Sequence, residues 1–298
     1  MKVGICCAGV GEAASGLIVR RSAQAAERAG FSTFWIGEHV LLFGRYPESR
    51  YPYVGDYGTD VPIPDPRVPI VDPLMAMAWA AAATSRIEVG SGILILPQRN
   101  PVVLAKEIAT LDAFSGGRVV LGAGIGWCKE EYDAVGADWP HRGKRMDEHI
   151  AALRSLWRDA PARFAGETVS FDDAYLYPKP VRGNDLPILI GGESDPALRR
   201  VARSGDGWIA FKLPVEEAPA RIAKLKALTR DEGRDPEALR IVCGIFSSTD
   251  IDDLKRYRDA GVTEFNLVTA GELPLDEAGL ANGIAAFGER FVEAVATW

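Results

Sequence analysis

His39 has the clearest potential for chemistry in this sequence, because it closely follows an apolar, strand-like run from Phe31 to Gly37. In a parallel α/β fold, residues at the carboxyl ends of the strands form the active site. Imidazole exchanges a proton near neutral pH, so a histidine at that end can act as a general acid or base. Glu38 beside it either orients the histidine or fills a polar layer of the sheet. The alternative role for His39 is a structural hydrogen bond to its own loop.

Three glycines mark a second candidate region, in the stretch 89–127 that reads as a strand, a helix and a second strand. The second strand ends in Gly122, Gly124 and Gly126. Glycines at the carboxyl end of a strand allow a flat ligand to approach the main chain closely. The alternative explanation is tight packing between the helix and the strand.

A further glycine-containing segment, Gly191-Gly192-Glu193-Ser194, follows a short apolar strand and precedes a predicted helix. Free backbone amides at the start of a helix bind anions, so the segment is a candidate phosphate site. The carboxylate of Glu193 acts against this function, because it can cap the same amides and repel a phosphate. Lys212, at the end of the next strand, either supplies the missing positive charge or is a solvated surface lysine.

The elements that must position these residues alternate along the chain. Apolar, strand-like runs occur eight times, and helical segments separate nearly all of them. This alternation predicts an α/β protein with a single domain over residues 1–298, folded as a (β/α)8 TIM barrel. Insertions are expected at about residues 42–71, 127–145 and 162–180, the last as a hairpin or extended excursion. The first two follow strands two and four at the mouth, and the tyrosine-rich first insert is typical of a lid or binding loop.

Composition and charge exclude several classes of function. The chain has 298 residues and a formal net charge of −7 without a basic cluster, so nucleic acid is not an expected partner. Its cysteines fit neither a zinc pattern nor a disulfide framework, so we expect no metal and a reducing cytoplasm; they are Cys6, Cys7, Cys128 and Cys243. The chain begins directly in a strand, and no apolar run is long enough to span a membrane.

Longer motifs run through these regions; they are the segments WIGEHV, DPLMAMAWAAAATSRIEVGSG, LPQRNPVVLAKEIATLDAFSGGRVVLGAGIGW, EEYDAVG, HRGKRMDEHIAALRSLW and GGESDPALRRVARSGDGW. Together these segments resemble a known family, the luciferase-like flavin and deazaflavin oxidoreductases. The resemblance is strong up to about residue 210 and weaker beyond. Within this luciferase-like monooxygenase superfamily, the tyrosine- and proline-rich loop and the form LILPQRNPVVLAK are most similar to the branch that depends on the deazaflavin coenzyme F420.

The resemblance implies a barrel with inserts, usually dimeric, with the cofactor ring across the mouth and its phosphate near the later strands. It places Gly92 and Ile93 behind the ring, at a bulge that in related enzymes contains a non-proline cis peptide bond. It also places the three glycines of the first glycine run against the cofactor. Many related enzymes carry an acidic residue and a histidine where Glu38 and His39 stand.

The resemblance also bears on which cofactor is used. In bacterial luciferase an arginine that holds the flavin phosphate stands at the position of Ile125, and its absence here favours F420 over FMN. The sequence therefore predicts a cytoplasmic, homodimeric F420-dependent oxidoreductase that transfers a hydride to or from a small organic substrate, with His39 exchanging the accompanying proton. The alternatives are an FMN-dependent monooxygenase that uses oxygen and a non-catalytic member that only binds the cofactor.

Overall fold

The computed structural model describes residues 1–51, 65–269 and 271–298, in which strands and helices alternate. The strands are β1 (Lys2–Cys6), β2 (Thr33–Ile36), β3 (Glu88–Ser91), β4 (Leu94–Ile95), β5 (Val119–Gly124), β6 (Ala162–Ala165), β7 (Ser170–Ala174), β8 (Ile188–Gly191), β9 (Gly207–Ala210), β10 (Arg240–Phe246) and β11 (Glu264–Val268). The helices are α1 (Gly16–Arg28), α2 (Pro73–Ala83), α3 (Pro101–Ser115), α4 (Lys129–Ala134), α5 (Arg142–Arg158), α6 (Asp195–Ser204), α7 (Ala218–Asp231), α8 (Ile251–Ala260), α9 (Glu277–Phe287) and α10 (Ala294–Ala296), with a π-helical segment (Gly288–Glu293) before α10.

Parallel hydrogen bonding closes the main sheet into a barrel. The strands pair in the order β3, β2, β1, β11, β10, β9, β8, β5 and β4, and β3 also pairs with β5. β3 and β4 are two halves of one strand, separated by a cis peptide bond between Gly92 and Ile93. The nine segments therefore form an eight-stranded parallel barrel with helices outside, which confirms the predicted TIM-barrel fold. The cis peptide implied by the family resemblance is present at the expected pair.

Local capping determines where the helices around the barrel begin. Asp72, Asn100 and Ser194 are the N-caps of α2, α3 and α6, and each side-chain oxygen accepts a backbone N–H of the first turn. Each cap is followed within two residues by a proline, whose missing N–H needs no partner there. Gly116 ends α3 with a φ of 71°, a left-handed conformation that glycine adopts without strain.

The interior of the barrel is filled around Trp35, which is fully buried. A Cβ atom at Gly4 or Gly90 would lie 2.4 or 2.5 Å from the indole ring, so both glycines make room for it. Apolar side chains from the opposite strands pack with the ring; they are Val120, Leu189, Ile209 and Val242. The barrel below the mouth is therefore a packed core.

Charged and polar side chains close the amino-terminal end of the barrel. This basal ionic cluster consists of Thr33, Glu88, Arg240 and Glu264, each the first residue of its strand. Arg240 Nη2 lies 2.6 Å from Glu264 Oε2 and 2.8 Å from Glu88 Oε2, and Thr33 Oγ1 donates to Glu264 Oε1 at 3.0 Å. Because Glu264 is only 1% exposed, its carboxylate requires these partners.

The second insert is more regular than the sequence predicts. The segment 127–145, expected to be irregular, contains the six-residue helix α4, which is too short to show a helical periodicity. The excursion at 162–180 contains the antiparallel hairpin of β6 and β7, one of the two forms that the sequence predicts for it. In the first insert, residues 52–64 lie outside the described residues, and the predicted lid stays a prediction. Within the described ranges, no helix has both the length and the apolar character needed to cross a bilayer.

Candidate active site at the barrel mouth

His39 and Glu131 meet at the carboxyl ends of the strands and form what we call the His39–Glu131 pair. His39 follows β2, whereas Glu131 comes from α4 in the second insert. The imidazole Nδ1 lies 3.1 Å from Glu131 Oε2. The other carboxylate oxygen accepts the backbone N–H groups of Val40 and Leu41 at 2.7 and 3.1 Å. The Glu131 side chain is 0% exposed and the histidine 16%, so a fixed carboxylate supports a histidine that reaches solvent.

This contact determines which nitrogen of His39 is available for chemistry. An ionised carboxylate only accepts hydrogen bonds, so Nδ1 of the imidazole carries the hydrogen. Nε2 is then the atom that accepts a proton or, in the imidazolium, releases one. Among the described residues, Nε2 has no hydrogen-bond partner, which leaves it free for a ligand at the mouth.

Aromatic side chains join the two inserts beside this pair. The ring of Trp127 contacts His39 edge-on, with the ring centroids 5.7 Å apart. Tyr46 and Tyr51 of the first insert each lie 5.3 Å from the same indole ring. Trp127 thus packs between the two inserts.

Glu38 and the adjacent His39 have different hydrogen-bond partners. Its carboxylate accepts the backbone N–H of Ile95 and the guanidinium of Arg99, which also lies 2.8 Å from Asp72. Burial raises the pKa of Glu38, and the charge of Arg99 opposes that rise. The side chain is only 2% exposed. Glu38 therefore ties the end of β2 to the segment after the bulge, and the residue that orients His39 is Glu131.

Ile93 occupies the space beside two of the predicted cofactor-binding glycines. A Cβ atom at Gly124 would lie 2.6 Å from Ile93 Cδ1, and one at Gly191 would lie 2.8 Å from Ile93 Cγ2. A Cβ atom at Gly122 would lie 2.0 Å from a backbone oxygen of β3. Gly126 has a φ of 66°, which favours glycine for conformational reasons. These glycines make room for the bulged strand, so tight packing explains why they are glycines. Their contact with a cofactor stays a prediction.

The predicted phosphate segment already satisfies several of the nearby amides. Glu193 Oε1 accepts the N–H of Phe211 at 2.7 Å, so this carboxylate caps the end of β9. Ser194 Oγ accepts the N–H of Ala197 at 3.3 Å and thereby caps α6. The sequence-based objection to Glu193 is therefore visible in the structure, although the carboxylate caps a strand end rather than the helix.

Gly192 belongs to the same predicted phosphate segment, and Lys212 lies close to it. Gly192 has a φ of 112°, and its carbonyl accepts the indole N–H of Trp208 at 2.8 Å. A side chain at position 192 is therefore strained whatever ligand is bound. Lys212 follows β9, with its ammonium 5.5 Å from the ring centroid of Phe246. The strand ends thus bring Gly191, Gly192 and Lys212 to the same side of the mouth.

Arg142 is an additional basic residue at the mouth. Its guanidinium stacks 3.7 Å above the ring of Trp139. Its Nε is buried and has no partner among the described residues. Burial lowers the pKa of this guanidinium, which nevertheless stays charged at any physiological pH. The helix that it begins has no side-chain cap at its N-cap, the exposed His141.

Glu131 is the one residue of the His39–Glu131 pair that the sequence does not indicate. Glu130 has the same side chain and instead accepts the N–H of Glu48 at 3.0 Å. The sequence shows that Glu130 and Glu131 lie in an insert at the strand ends. It does not show which of the two carboxylates is buried. The difference arises from the orientation of α4.

Two other kinds of site receive no support. Burial raises the pKa of Cys6 to about 11 and that of Cys128 to about 12, so both thiols are protonated at neutral pH and are poor nucleophiles. In the described ranges, no three histidine, cysteine or acidic side chains are arranged to hold a metal ion.

A parallel barrel with polar side chains gathered at the carboxyl ends of its strands has the architecture of TIM-barrel enzymes. The chain belongs to the luciferase-like monooxygenase family, whose model matches residues 1–285. It is a luciferase-like enzyme, either an oxidoreductase or a monooxygenase.

Relatives and solved structures with different activities resemble this chain. An uncharacterized protein of Mycobacterium tuberculosis is 32% identical over 252 residues, which cover 84% of this chain and 86% of the relative. The FMNH(2)-dependent dimethylsulfone monooxygenase of Pseudomonas putida is 31% identical over 217 residues, 72% of this chain and 54% of the relative.

Two solved structures share the fold over nearly the whole chain. An F420-dependent secondary alcohol dehydrogenase has a TM-score of 0.77 at 19% identity, and the match covers 99% of this chain and 98% of the other. A long-chain alkane monooxygenase has a TM-score of 0.77 at 13% identity, with coverage of 98% and 91%. At these identities the likeness establishes the fold alone.

Proposed function

We propose that this protein is an F420-dependent oxidoreductase that transfers a hydride between the deazaflavin and a small organic substrate. The observation that carries the proposal is the His39–Glu131 pair, which presents one proton-exchanging nitrogen at the barrel mouth. When bound, the deazaflavin supplies or accepts the hydride. Hydride transfer to or from a carbonyl or hydroxyl carbon moves a proton as well, and His39 Nε2 is placed to exchange it.

The buried carboxylate supports this proton exchange electrostatically. When Nε2 takes a proton, the imidazolium gains a positive charge that faces Glu131 Oε2 at 3.1 Å. The N–H groups of Val40 and Leu41 keep that carboxylate in place. Because Glu131 is fully buried, the interaction is less screened by solvent than a surface pair.

The residues at the mouth fit a flat ring. A Cβ atom at Gly37 would come no nearer than 3.9 Å to its closest neighbour, the carbonyl oxygen of Gly92, so the end of β2 is open. Gly92 and Ile93 are both partly exposed and present a backbone and an aliphatic surface. A ring resting there would lie near His39, with Gly124 and Gly191 behind Ile93 rather than in front of it.

For the cofactor phosphate we propose the strand ends that carry Gly191, Gly192, Ser194 and Lys212. Lys212 provides the positive charge, and the glycines leave the backbone accessible. Glu193 opposes an anion at this place because it already accepts the amide of Phe211. Arg142, stacked on Trp139, is the competing candidate, and the two positions are separated experimentally below.

A second candidate function is an FMN-dependent monooxygenase that uses oxygen. The observation that favours it is the 31% identity with the FMNH(2)-dependent dimethylsulfone monooxygenase, higher than with the F420-dependent structure. Ile125, partly buried against the core, offers no charge to a flavin phosphate. We therefore rank the deazaflavin function first.

Titration of the purified protein with each cofactor tests the proposal directly. Binding is measured by fluorescence, with F420 and FMN in both oxidation states. We expect F420 to bind at least tenfold more tightly than FMN, a difference of roughly 1.4 kcal/mol. Equal or reversed affinities would reject the deazaflavin function in favour of the monooxygenase. Oxygen consumption with reduced FMN, compared with loss of deazaflavin absorbance, then distinguishes the two reactions.

We also propose that the protein is a homodimer in solution, through the outer faces of α2 and α3. These helices expose large apolar side chains: Met75 at 66%, Trp79 at 54%, Val103 at 56% and Phe114 at 85%. A second copy of the same face is the partner that would cover them. Light scattering is expected to give the mass of a dimer, and the double variant Met75→Glu, Phe114→Glu the mass of a monomer. A monomeric wild-type protein would reject this proposal.

A further inference from the structure

The backbone ladder between β2 and the strand that carries Ile93 ends below the barrel mouth. β3 pairs with β2 as far as Ser91 and Ile36, and the N–H of Gly92 then donates to the carbonyl of Ile36 at 2.7 Å. After Ile93 the chain continues as β4, which pairs with β5. Among the described strands, β4 has no backbone pairing with β2. A gap in the ladder therefore lies beside the surface proposed for the cofactor ring.

The side chain of Glu38 spans this gap. Its Oε2 accepts the N–H of Ile95, so a carboxylate takes the place of the missing backbone acceptor. The bulge is thus held to β2 at two points, through Gly92 before Ile93 and through Ile95 after it. Because His39 directly follows Glu38 in the chain, the same residue links the bulge to the proton-exchanging side chain.

Charge fixes the position of this carboxylate. Arg99 donates to Glu38 Oε1 from Nε at 3.2 Å and also from Nη2. The same Nη2 donates to Asp72 Oδ2 at 2.8 Å, and Asp72 is the N-cap of α2. The Glu38 side chain is almost fully buried, and charge-assisted hydrogen bonds in such a place are strong and directional. We therefore expect the bridge from Glu38 to Ile95 to be rigid.

Glu38 is not placed to exchange a proton with a ligand. One of its oxygens accepts from Ile95 and the other from Arg99, and the side chain is closed to solvent. Its effect on a reaction would therefore act through the residues that it holds. Reaction rates depend steeply on such placement, and a shift of about 1 Å can cost about 10²-fold.

We propose that Glu38 is a positioning residue, whose carboxylate holds Ile93 beneath the cofactor ring at a fixed distance from His39. The inference rests on the proposed function, because it requires a ring on Ile93, but it holds for a deazaflavin and a flavin alike. Glu131 orients the imidazole, whereas Glu38 fixes the surface on which the ring rests. The two buried carboxylates thus position the two sides of the reaction.

Glu38→Gln tests the inference, because glutamine keeps an acceptor for Ile95 but loses the ion pair with Arg99. We expect F420 to bind about tenfold more weakly in fluorescence titration. Single-turnover hydride transfer at saturating F420, with a substrate found by screening, should slow by about 10–10²-fold. The pH dependence of that rate should stay that of the wild type, since His39 is unchanged. A lost pH dependence would assign Glu38 a direct part in proton exchange and overturn the positioning role.

Glu27→Gln is the matched control at the other end of the same strand. Glu27 also accepts backbone N–H groups, those of Ser85, Arg86 and Ile87, which lead into β3 at the base. Both variants should lower the unfolding midpoint in urea, whereas only Glu38→Gln should change the affinity for F420. Equal F420 affinities of the wild type and the folded Glu38→Gln protein would show a merely structural role and overturn the inference.

Arg99→Lys provides the test if Glu38→Gln does not fold. Lysine retains the positive charge but not the planar fork that reaches both Glu38 and Asp72. We expect a smaller loss of F420 affinity in the same direction, and an unchanged affinity would overturn the inference. A wild-type protein that binds FMN but not F420 would reject the deazaflavin function alone. The variants are then titrated with FMN, and the same outcomes decide the role of Glu38.

Discussion

The two ends of the barrel are built in opposite ways. At the amino-terminal end, Glu88, Arg240 and Glu264 are paired with one another inside the basal ionic cluster. At the mouth, His39 Nε2 lacks a protein partner in the described residues, and its support, Glu131, comes from an insert. We therefore expect substitutions at the base to change stability and substitutions at the mouth to change activity.

The largest effect is expected at the mouth. His39→Asn keeps much of the side chain's size and hydrogen bonding but removes its proton exchange. We expect single-turnover hydride transfer, measured across pH with a substrate found by screening, to fall by about 10²–10⁴-fold. Cofactor affinity and the unfolding midpoint should change little. His141→Asn is the control, because His141 is exposed and asparagine tolerates its left-handed φ of 58°. A His39→Asn enzyme with a near wild-type rate would show that the histidine only supports its loop.

At the base, the corresponding experiment is Arg240→Leu. It leaves Glu264, 1% exposed, without its cation, and removing one partner of a buried pair typically costs about 3–5 kcal/mol. We expect a loss of that order in the free energy of unfolding, measured by urea denaturation, with turnover per folded molecule unchanged. Arg256→Leu, which removes an exposed pair with Asp253, should cost less than about 1 kcal/mol. Equal losses in the two variants would mean that the basal ionic cluster stabilises the protein no more than an exposed ion pair does.

A smaller effect separates the two candidate phosphate positions. Lys212→Gln should weaken F420 binding by roughly tenfold, about 1.4 kcal/mol, because it removes a positive charge from the proposed position. Arg142→Gln, the matched change at the stacked arginine, should leave the affinity near that of the wild type. Fluorescence titration measures both constants. The reverse result would place the phosphate at the start of α5.

The smallest effect concerns acid stability at the base. Glu27 Oε2 accepts the backbone N–H groups of Ser85, Arg86 and Ile87 at 2.9, 2.6 and 2.9 Å. Burial favours a higher pKa, but these hydrogen bonds outweigh it and lower the pKa of Glu27 to about 2, from its usual 4.5. The resulting stabilisation is complete above pH 4.5 and is lost as the pH falls toward 2.

Glu27→Gln should therefore reduce the free energy of unfolding at neutral pH by about 1 kcal/mol, a figure lowered for solvent screening. The difference from the wild type should shrink below about pH 4.5 and vanish near pH 2. Urea denaturation at several pH values measures it, with the exposed Glu107→Gln as the control. A difference independent of pH would show that the carboxylate charge plays no part.

Features set by local chemistry were predictable from the sequence. Asn100 followed by proline is typical of a helix start and Gly116 of a helix end, and α3 lies between them. The alternation of strands and helices likewise predicts the barrel, because adjacent parallel strands need a crossover. These are properties of neighbouring residues, which a sequence displays directly.

Features set by distant contacts were not predictable in this way. The glycines at Gly122 and Gly124 could have faced a ligand or the protein, and only the folded chain places β3 and Ile93 against them. Glu131 lies 92 residues from His39, so their contact depends on how α4 is placed. His39 itself was predictable as a candidate, since its position after a strand is visible in the sequence.

The buried Glu131 has a consequence for exchanging segments between family members. Its carboxylate binds the chain at His39, Val40 and Leu41 while its backbone belongs to the second insert. A chimera that replaces residues 127–145 with the insert of a relative must therefore bring a carboxylate to position 131. Without that carboxylate, two backbone amides and the imidazole would lose their common acceptor. The conformation of the loop after β2 would then no longer be fixed. The two inserts are consequently a single unit of recombination, although residues 72–126 lie between them in the chain.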